Sequence, residues 1–218
     1  MSLNRFEEYF NKVPKDHTIH KWLHYLPIYD RYFKPFMGRN PVILEIGVYK
    51  GGSLDMWNYY FEGQCQIYGL DINPDCKALE KDNIKILIGD QGDPETMKTI
   101  IETVPSIDIL IDDGSHQMKD LIATFEGLYK HVKAGGFYLL EDLHTCYWPE
   151  YGGSLKGPNT FIEYSKRLID ELNGFHIPSQ SQSQLSKTLA SLHYYDSVLV
   201  IEKCLEYVPP VAVIKHPL

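Results

Sequence analysis

Residues 107–117 read IDILIDDGSHQ, an apolar run that ends in two carboxylates and an imidazole. Residues 109–111 are continuously apolar, which is typical of a strand buried on both faces of a parallel sheet. Asp112, Asp113 and His116 follow directly at its end. In open α/β sheets ligands bind beyond the carboxyl ends of the strands. This stretch therefore predicts both the class of fold and the edge of the sheet that carries the function.

Similar apolar runs lie on either side of this stretch and alternate with helix-like segments. The strand-like runs are VILEIGV (42–48), QIYGLDI (66–72), IKILIGD (84–90), IDILIDD (107–113) and AGGFYLLED (134–142). The segments with helical spacing are 51–61, 93–104 and 117–132. Asp93-Pro94 and Gly135-Gly136 have the residue types of a helix start and a helix stop. The alternation predicts an α/β, doubly wound, mostly parallel sheet with helices on both faces.

The two ends of the chain break this alternation. Residues 161–172 have helical spacing, the Ser/Gln-rich stretch 179–187 is typical of a mobile loop, and 189–203 read as an antiparallel hairpin that turns at Tyr195-Asp196-Ser197. Residues 1–40 are aromatic and His-rich, and we expect an N-terminal helical cap there, over the active-site rim. Residues 41–218 are expected to form one catalytic domain.

The composition excludes several classes of protein. The chain has 218 residues, 44% of them hydrophobic, and a net charge of −8 with both signs interspersed. This balance argues against nucleic acid or an anionic membrane as a partner. The N-terminal stretch is charged and shows neither a signal peptide nor a spanning segment. Four scattered cysteines fit free thiols in a reducing compartment, so we expect a cytoplasmic enzyme of one large domain.

Three strand ends carry residues suited to an adenosine cofactor. The first leads into EIGVYKGGS (45–53), where glycine permits a tight turn and lets a ligand approach backbone N–H groups at a helix start. The carboxylate of Asp71 can accept both ribose hydroxyls, and Asp90-Gln91 could read an adenine edge. Glu45 would repel a pyrophosphate but suits a cationic sulfonium amino acid. The predicted cofactor residues are Glu45, Gly47, Tyr49, Gly51, Ser53, Asp71, Ile72, Asp90, Gln91 and Asp112, the last as a cofactor contact or as a structural hydrogen-bonding group.

A second group of residues predicts a metal centre beside the cofactor. If the strands ending at Asp113 and at Glu141-Asp142 are neighbours, about 4.8 Å apart, their carboxylates converge on one edge. Three carboxylates repel one another unless a cation is present, and oxygen-only ligands favour Mg²⁺ or another hard divalent ion. His116 is placed to act as the general base for a hydroxyl whose pKa the metal lowers.

The motifs LEIGVYKGGS, YGLDI and GDQ resemble those of the class I S-adenosylmethionine-dependent methyltransferases, across roughly residues 40–203. That resemblance implies a Rossmann-like sheet of strand order 3-2-1-4-5-7-6, whose last strands form the antiparallel hairpin, and S-adenosylmethionine as cofactor.

The stretches IDDGSH and LEDLHTCYWPEYGG resemble a narrower group, the Mg²⁺-dependent macrolide sugar O-methyltransferases of the mycinamicin and macrocin type and the related cephalosporin-hydroxylase-like family. The resemblance implies that Asp113, Glu141 and Asp142 bind the metal and that His116 is the catalytic base. The family's N-terminal His-Tyr, Tyr and Phe pattern has a counterpart in His24-Tyr25, Tyr29 and Phe33. It further implies a sugar or a glycosylated natural product as acceptor, and a homo-oligomer. Mycinamicin-type enzymes carry an extra N-terminal domain without a counterpart in residues 1–40, so contacts from that domain are not carried over.

Two other functions remain open at this stage. A nucleotide-binding oxidoreductase would bind a nicotinamide cofactor, but the chain lacks the G-x-G-x-x-G fingerprint. A non-catalytic S-adenosylmethionine-binding module would need neither a metal nor a base, and the set of three acids and a histidine disfavours it.

Overall fold

Seven strands form one sheet in the order β3-β2-β1-β4-β5-β7-β6. The computed structural model describes residues 3–13, 18–178 and 182–205. The strands are β1 (Val42–Ile46), β2 (Gln66–Asp71), β3 (Ile84–Ile88), β4 (Ile107–Asp112), β5 (Val132–Leu140), β6 (Leu189–Tyr195) and β7 (Val198–Lys203). The pairs among β1 to β5 are parallel, whereas β7 is antiparallel to both β5 and β6. The predicted fold class and strand order are confirmed.

Helices cover both faces of this sheet. They are α1 (Arg5–Lys12), α2 (Leu26–Phe33), α3 (Gly52–Tyr60), α4 (Pro94–Thr103), α5 (Met118–Leu128), α6 (Phe161–Leu172) and α7 (Gln184–Thr188), with short 3-10 turns between them. The central strands β1 and β4 are buried because a separate hydrophobic cluster packs on each face of the sheet, whereas β3 at the edge is partly exposed. No helix in the described part of the chain is long and apolar enough to cross a membrane.

The predicted helix start and hairpin agree with the structure, whereas the predicted helix stop and part of the predicted loop do not. The side chain of Asp93 caps α4 by accepting from the Glu95 N–H, and Pro94 follows it, as predicted. The expected helix stop at Gly135-Gly136 is wrong, because both glycines lie inside β5 and the preceding helical turn already ends at His131. The expected loop over 179–187 is wrong in its second half, where Ser183 caps α7 by accepting from the Ser186 N–H. Residues 179–181 lie outside the described residues. The predicted hairpin and its turn are confirmed.

The helices that precede the sheet pack into the same core as its first face. Phe6 of α1 stacks on Tyr60 of α3 with ring centroids 3.9 Å apart. Tyr29 of α2 lies edge-on to Trp57 of α3, 4.9 Å away. Because α2 lies over the carboxyl edge of the sheet, its tyrosine hydroxyls reach the ends of the strands.

Two backbone hydrogen bonds continue the strand pairing beyond the ends of the strands. They hold the loops after β1, β4 and β5 next to one another. The Asp113 N–H donates to the Ile46 carbonyl at 2.9 Å, and the Glu141 N–H donates to the Asp112 carbonyl at 3.0 Å. These bonds bring the acidic ends of β4 and β5 onto one edge beside the glycine loop after β1. The four cysteines of the chain, all among the described residues, are free thiols, as expected.

Candidate active site

The loop from β1 to α3 approaches the loop after β4 at backbone distance. Gly47 has φ +90°, and a Cβ atom there would lie 2.0 Å from the Asp113 carbonyl oxygen. Gly51 (φ +78°) precedes α3 in the left-handed conformation. Tyr49 also has a positive φ, and its side chain is largely exposed. The predicted glycines therefore make a turn that other residues would distort, and they keep the β1 and β4 ends together.

Asp71 fixes the same loop from the end of β2. Its Oδ2 accepts from the N–H groups of Val48 (2.9 Å) and Tyr49 (2.8 Å), and its Oδ1 accepts from the Asn73 N–H at 2.8 Å. The carboxylate thus organises the glycine loop and also lines the cavity beside it. A ligand hydroxyl would use the remaining lone pairs of the two oxygens.

A small cavity of about 160 Å³ lies between the ends of β1, β2 and β3. Asp71, Ile72, Asp90 and Gln91 line it. Gln91 is directed inward: its Nε2 donates to Asp112 Oδ1 and Thr124 Oγ1, and its Oε1 accepts from the Ser115 N–H. The amide of Gln91 is engaged inside the protein, whereas Asp90 and Ile72 are exposed at the cavity.

Asp112 is buried and lies outside both cavities. Tyr138 Oη donates to its Oδ2 at 3.0 Å and Gln91 to its Oδ1 at 3.1 Å. Burial raises the pKa of Asp112 to about 7, although both hydrogen bonds oppose that shift. These contacts correspond to the structural alternative predicted for Asp112.

The carboxylates of Asp113 and Asp142 converge on the imidazole of His116. Nε2 of His116 lies 3.9 Å from Asp113 Oδ1 and 3.7 Å from Asp142 Oδ2. One ligand atom from each of these three residues lies within 4.8 Å of the others, so the group can hold a metal ion. His116 (φ +57°) and Asp142 (φ +54°) both take the left-handed conformation, which costs about 1–2 kcal/mol per residue. Such strain is typical of functional sites.

Glu141 lies deeper than the other predicted metal ligands. Its Oε1 accepts from Tyr29 Oη at 2.8 Å, and its Oε2 from Lys21 Nζ at 2.9 Å. Burial raises the pKa of Glu141 to about 8, and the nearby Lys21 ammonium opposes this shift. Glu141 therefore lies in a group of buried charges next to the group around His116, and Asp113 links the two groups because its Oδ2 contacts Lys21 while its Oδ1 faces His116.

Lys21 is the centre of that buried group. Its ammonium contacts Asp113 Oδ2 at 2.7 Å, Glu141 Oε2 at 2.9 Å and Glu45 Oε1 at 3.3 Å. Burial alone would lower the pKa of Lys21, but the carboxylates raise it well above its usual value. Glu45 Oε2 accepts from Ser53 Oγ (2.8 Å) and Trp57 Nε1 (3.0 Å), so no side of its carboxylate is open to solvent.

Sequence reasoning predicted a role for the acids and His116 but none for this lysine. Lys21 lies in the stretch expected to form the N-terminal helical cap, and nothing in HKWLHY distinguishes it from a surface lysine. Tyr25 and Tyr29 were noted only as a pattern. In the structure Tyr25 Oη donates to Asp142 Oδ1 at 2.7 Å, and Tyr29 Oη donates to Glu141 Oε1 in the same way. The spacing of four residues on one helical face is the signal that could have assigned them.

Tyr25 and Tyr29 donate to different carboxylates, so removing each hydroxyl should lower the free energy of unfolding by a different amount. Tyr29→Phe is expected to lower the free energy of unfolding by about 1–3 kcal/mol, because it removes the hydrogen bond to the buried Oε1 of Glu141 and leaves only the bond from Lys21 to Oε2. Tyr25→Phe should cost less, because Asp142 is partly exposed and water can replace the hydroxyl. Urea denaturation of both variants measures the difference. Equal costs would contradict the burial argument.

A cavity of about 770 Å³ opens beside these groups. The glycine loop and Asp71 form one wall, His116 and Asp142 a second, and residues 18–22 a third. His144 and Trp148 lie at its mouth, with ring centroids 4.7 Å apart. A ligand in this space could contact the glycine loop and the imidazole at the same time, which is the geometry needed to place a cofactor beside an acceptor.

Comparison with known proteins gives close matches over part of their length. No family model matches the chain. Demethylmacrocin O-methyltransferase of Streptomyces fradiae is 35% identical over 209 residues, covering 88% of this chain and 52% of the relative. Mycinamicin VI 2''-O-methyltransferase of Micromonospora griseorubida is 37% identical over 204 residues, covering 88% and 50%. The chain thus spans about half the length of the curated relatives it matches.

A solved structure of MycE methyltransferase, in complex with Mg, SAH and mycinamycin VI, has a TM-score of 0.83 and 34% identity. The alignment covers 93% of this chain and 54% of MycE. A caffeoyl-CoA O-methyltransferase-like structure from Staphylococcus aureus, at 14% identity and a TM-score of 0.54, shares the fold alone. The predicted resemblance is confirmed. The chain has the methyltransferase fold of MycE and is a homologue of the natural-product sugar O-methyltransferases over about half of their length.

Proposed function

We propose that the protein is an S-adenosylmethionine-dependent, Mg²⁺-dependent O-methyltransferase that acts on a hydroxyl of a small molecule, a sugar or a glycosylated natural product. One observation carries the proposal: the His116 imidazole lies between two carboxylates and lines a cavity that the glycine loop also lines. The named sugar O-methyltransferases to which the chain is homologous support the same chemistry.

The cofactor is proposed to span the two cavities. Its adenine would lie in the small cavity beside Ile72 and Asp90, its ribose on Asp71, and its amino acid part along Gly47, Gly51 and Ser53. Glu45 would accept from the cofactor's ammonium group. Asp112 and Gln91 would act by holding the loops after β3 and β4, since their polar atoms bond to each other and to other protein groups.

The residues present fit a hard divalent cation. Oxygens of Asp113 and Glu141 already converge on one positive charge, the Lys21 ammonium, at 2.7 and 2.9 Å. Asp142 and Asp113 also lie within reach of a shared ion beside His116. We assign Asp113, Glu141 and Asp142 as the metal ligands because Mg²⁺ prefers oxygen donors. When bound, Mg²⁺ supplies positive charge that lowers the pKa of a nearby sugar hydroxyl.

The protein's own groups then move the proton and position the acceptor. His116 Nε2 would take the hydroxyl proton as the acceptor oxygen bonds to the methyl carbon; the bond from that carbon to sulfur would break, and S-adenosylhomocysteine would leave. Asp113 and Asp142, 3.9 and 3.7 Å away, stabilise the imidazolium that results. Tyr25 holds Asp142, and Tyr29 holds Glu141, so both carboxylates keep their orientation. Trp22 and Trp148, both half-exposed at the cavity, would exclude water from the acceptor.

The wider biological assignment follows the same proposal. Residues 1–40 are proposed to cap the rim of the site, since α2 supplies Tyr29 and the segment before it lines the cavity. The net charge of −8 supports a small-molecule acceptor over nucleic acid or an anionic membrane. We expect a homo-oligomer, as the resemblance to macrolide enzymes implies, and a cytoplasmic location, which the free cysteines support.

Calorimetry tests the proposal on wild-type protein and on Asp113→Asn. S-adenosylhomocysteine should bind the wild type, and Mg²⁺ should bind it with an affinity at least tenfold above that of Asp113→Asn. Asp108→Asn is the matched control: Asp108 lies on the same strand at its other end, where its carboxylate accepts from Val42 N–H and Lys133. It should bind both ligands as the wild type does.

The outcomes separate the parts of the proposal. Without binding of S-adenosylhomocysteine the proposed function fails as a whole. Unchanged Mg²⁺ affinity in Asp113→Asn would refute the metal assignment alone. Cofactor binding with no turnover on any glycosylated acceptor would favour a non-catalytic binding module.

A further inference from the structure

The Lys21 ammonium lies where two different cations are proposed to bind. It is 2.7 Å from Asp113 and 2.9 Å from Glu141, both assigned to the metal. It is also 3.3 Å from Glu45, assigned to the cofactor's ammonium group. The lysine side chain is 3% exposed, and its Nζ lies 5.7 Å from the centre of the Trp57 ring. The buried ammonium of Lys21 therefore contacts carboxylates assigned to the metal and a carboxylate assigned to the cofactor.

Lys21 and the two ligands exclude one another. Mg²⁺ binds carboxylate oxygens at about 2.0–2.1 Å, and an ammonium in contact with the same oxygens would repel it in a poorly solvated site. The carboxylate of Glu45 has Ser53 and Trp57 on Oε2, which leaves Oε1, the oxygen facing Lys21, for a ligand. For either ligand to bind as proposed, the ammonium of Lys21 must leave.

The segment that carries Lys21 is built so that it can withdraw. Residues 18–22 form no helix or strand. The carbonyl of Thr18 lies against Gly52 so closely that a Cβ there would be 2.1 Å from it. The segment therefore covers the start of α3 as well as the metal ligands, and Trp22 at its end is 52% exposed. The hydrogen bond that links this segment to regular secondary structure is at its end, where the Trp22 carbonyl accepts from the Tyr25 N–H, so residues 18–21 can withdraw without breaking a helix or a strand.

We propose that Lys21 is a built-in counter-ion that holds residues 18–22 closed over the ligand-free site and is expelled when Mg²⁺ and the cofactor bind. The inference rests on the proposed function and adds a regulatory step to it. Because one ammonium blocks both sites, its expulsion by the metal removes the obstacle to the cofactor. Mg²⁺ and S-adenosylhomocysteine should therefore bind with positive cooperativity, and the coupling should be reciprocal.

Amine labelling of the wild-type protein tests the expulsion directly. Lys21 should react slowly with an amine-acylating reagent in the absence of ligands and at least tenfold faster with saturating Mg²⁺, as read by peptide mass spectrometry. Lys119, whose side chain is 85% exposed, is the internal control and should react equally in both conditions. Unchanged protection of Lys21, with Mg²⁺ binding verified by calorimetry, would overturn the inference and leave the proposed function standing.

Lys21→Met tests the coupling, because methionine keeps the apolar stem and removes the charge. Mg²⁺ should raise the affinity of wild type for S-adenosylhomocysteine at least fivefold and that of Lys21→Met less than twofold, and the variant should bind Mg²⁺ at least tenfold more tightly. Lys133→Met, which removes the partner of Asp108 at the other end of β4, should keep the wild-type coupling. Weaker metal binding in Lys21→Met would overturn the inference. If neither protein bound Mg²⁺, this inference and the metal assignment would both fall, while cofactor binding would still be judged separately.

Discussion

His116→Ala is expected to lower turnover by about 10²–10⁴-fold, the usual contribution of a positioned general base. The reason is geometric: the described site places one imidazole nitrogen, Nε2, between Asp113 and Asp142 and beside the glycine loop. Alanine leaves the carboxylates and the loop in place, so the affinity for S-adenosylhomocysteine should stay within about twofold. The measurement is release of S-adenosylhomocysteine from S-adenosylmethionine, with a panel of glycosylated natural products as acceptors.

The control for this variant is a histidine elsewhere on the surface. His176 is exposed in the short turn after α6, and His176→Ala should retain wild-type turnover and stability. His116→Gln provides a second test, because an amide can keep a hydrogen bond to Asp113 or Asp142 but cannot take a proton at neutral pH. More than a tenth of wild-type turnover in both His116 variants would contradict the role of base and leave His116 as a group that positions the carboxylates.

The sequence was sufficient to predict which strand ends lie side by side, because strand order and register determine this. Parallel pairing puts Asp113 beyond β4 and Glu141 beyond β5 on one edge, so their proximity follows from two apolar runs and a strand order. The direction of a side chain at the end of a strand does not follow in the same way. Gln91 was expected to face a ligand, but its amide satisfies Asp112 and the loop after β4 instead.

Lys21 shows where sequence reasoning ends. Its contacts with Asp113 and Glu141 span 92 and 120 residues of sequence, and no periodic pattern relates residues so far apart. The acidic cluster alone requires a positive charge, because several buried carboxylates cannot all ionise without one. The charge was assigned to a metal from the oxygen-only donor set. That a lysine of the chain can occupy the same place becomes visible only once residues 18–22 are seen to lie over the cavity.

Gly47→Ala is expected to be the most damaging small substitution at the site. The added Cβ would lie 2.0 Å from the Asp113 carbonyl oxygen and 2.9 Å from the Gly114 Cα, and neither backbone atom can rotate away. The left-handed φ of +90° adds about 1–3 kcal/mol of backbone strain, and overpacking adds about 1–3 kcal/mol more. At about 2–4 °C per kcal/mol for a chain of this size, Tm should fall by at least about 4 °C. The loops after β1 and β4 must separate, so the affinity for S-adenosylhomocysteine should fall by more than tenfold.

Gly38→Ala separates the two causes, because Gly38 shares the positive φ (+71°) but has no atom within 4 Å of an added Cβ. It should therefore show the backbone strain alone, with a smaller loss of Tm and unchanged affinity for S-adenosylhomocysteine. The difference between the two variants measures the close approach of the glycine loop to Asp113. If both lost the same Tm and kept the ligand, the contact between these loops would have no part in forming the cofactor site. A selective loss in Gly47→Ala would instead tie the cofactor loop to the strand end that carries the proposed metal ligand, since one backbone contact serves both.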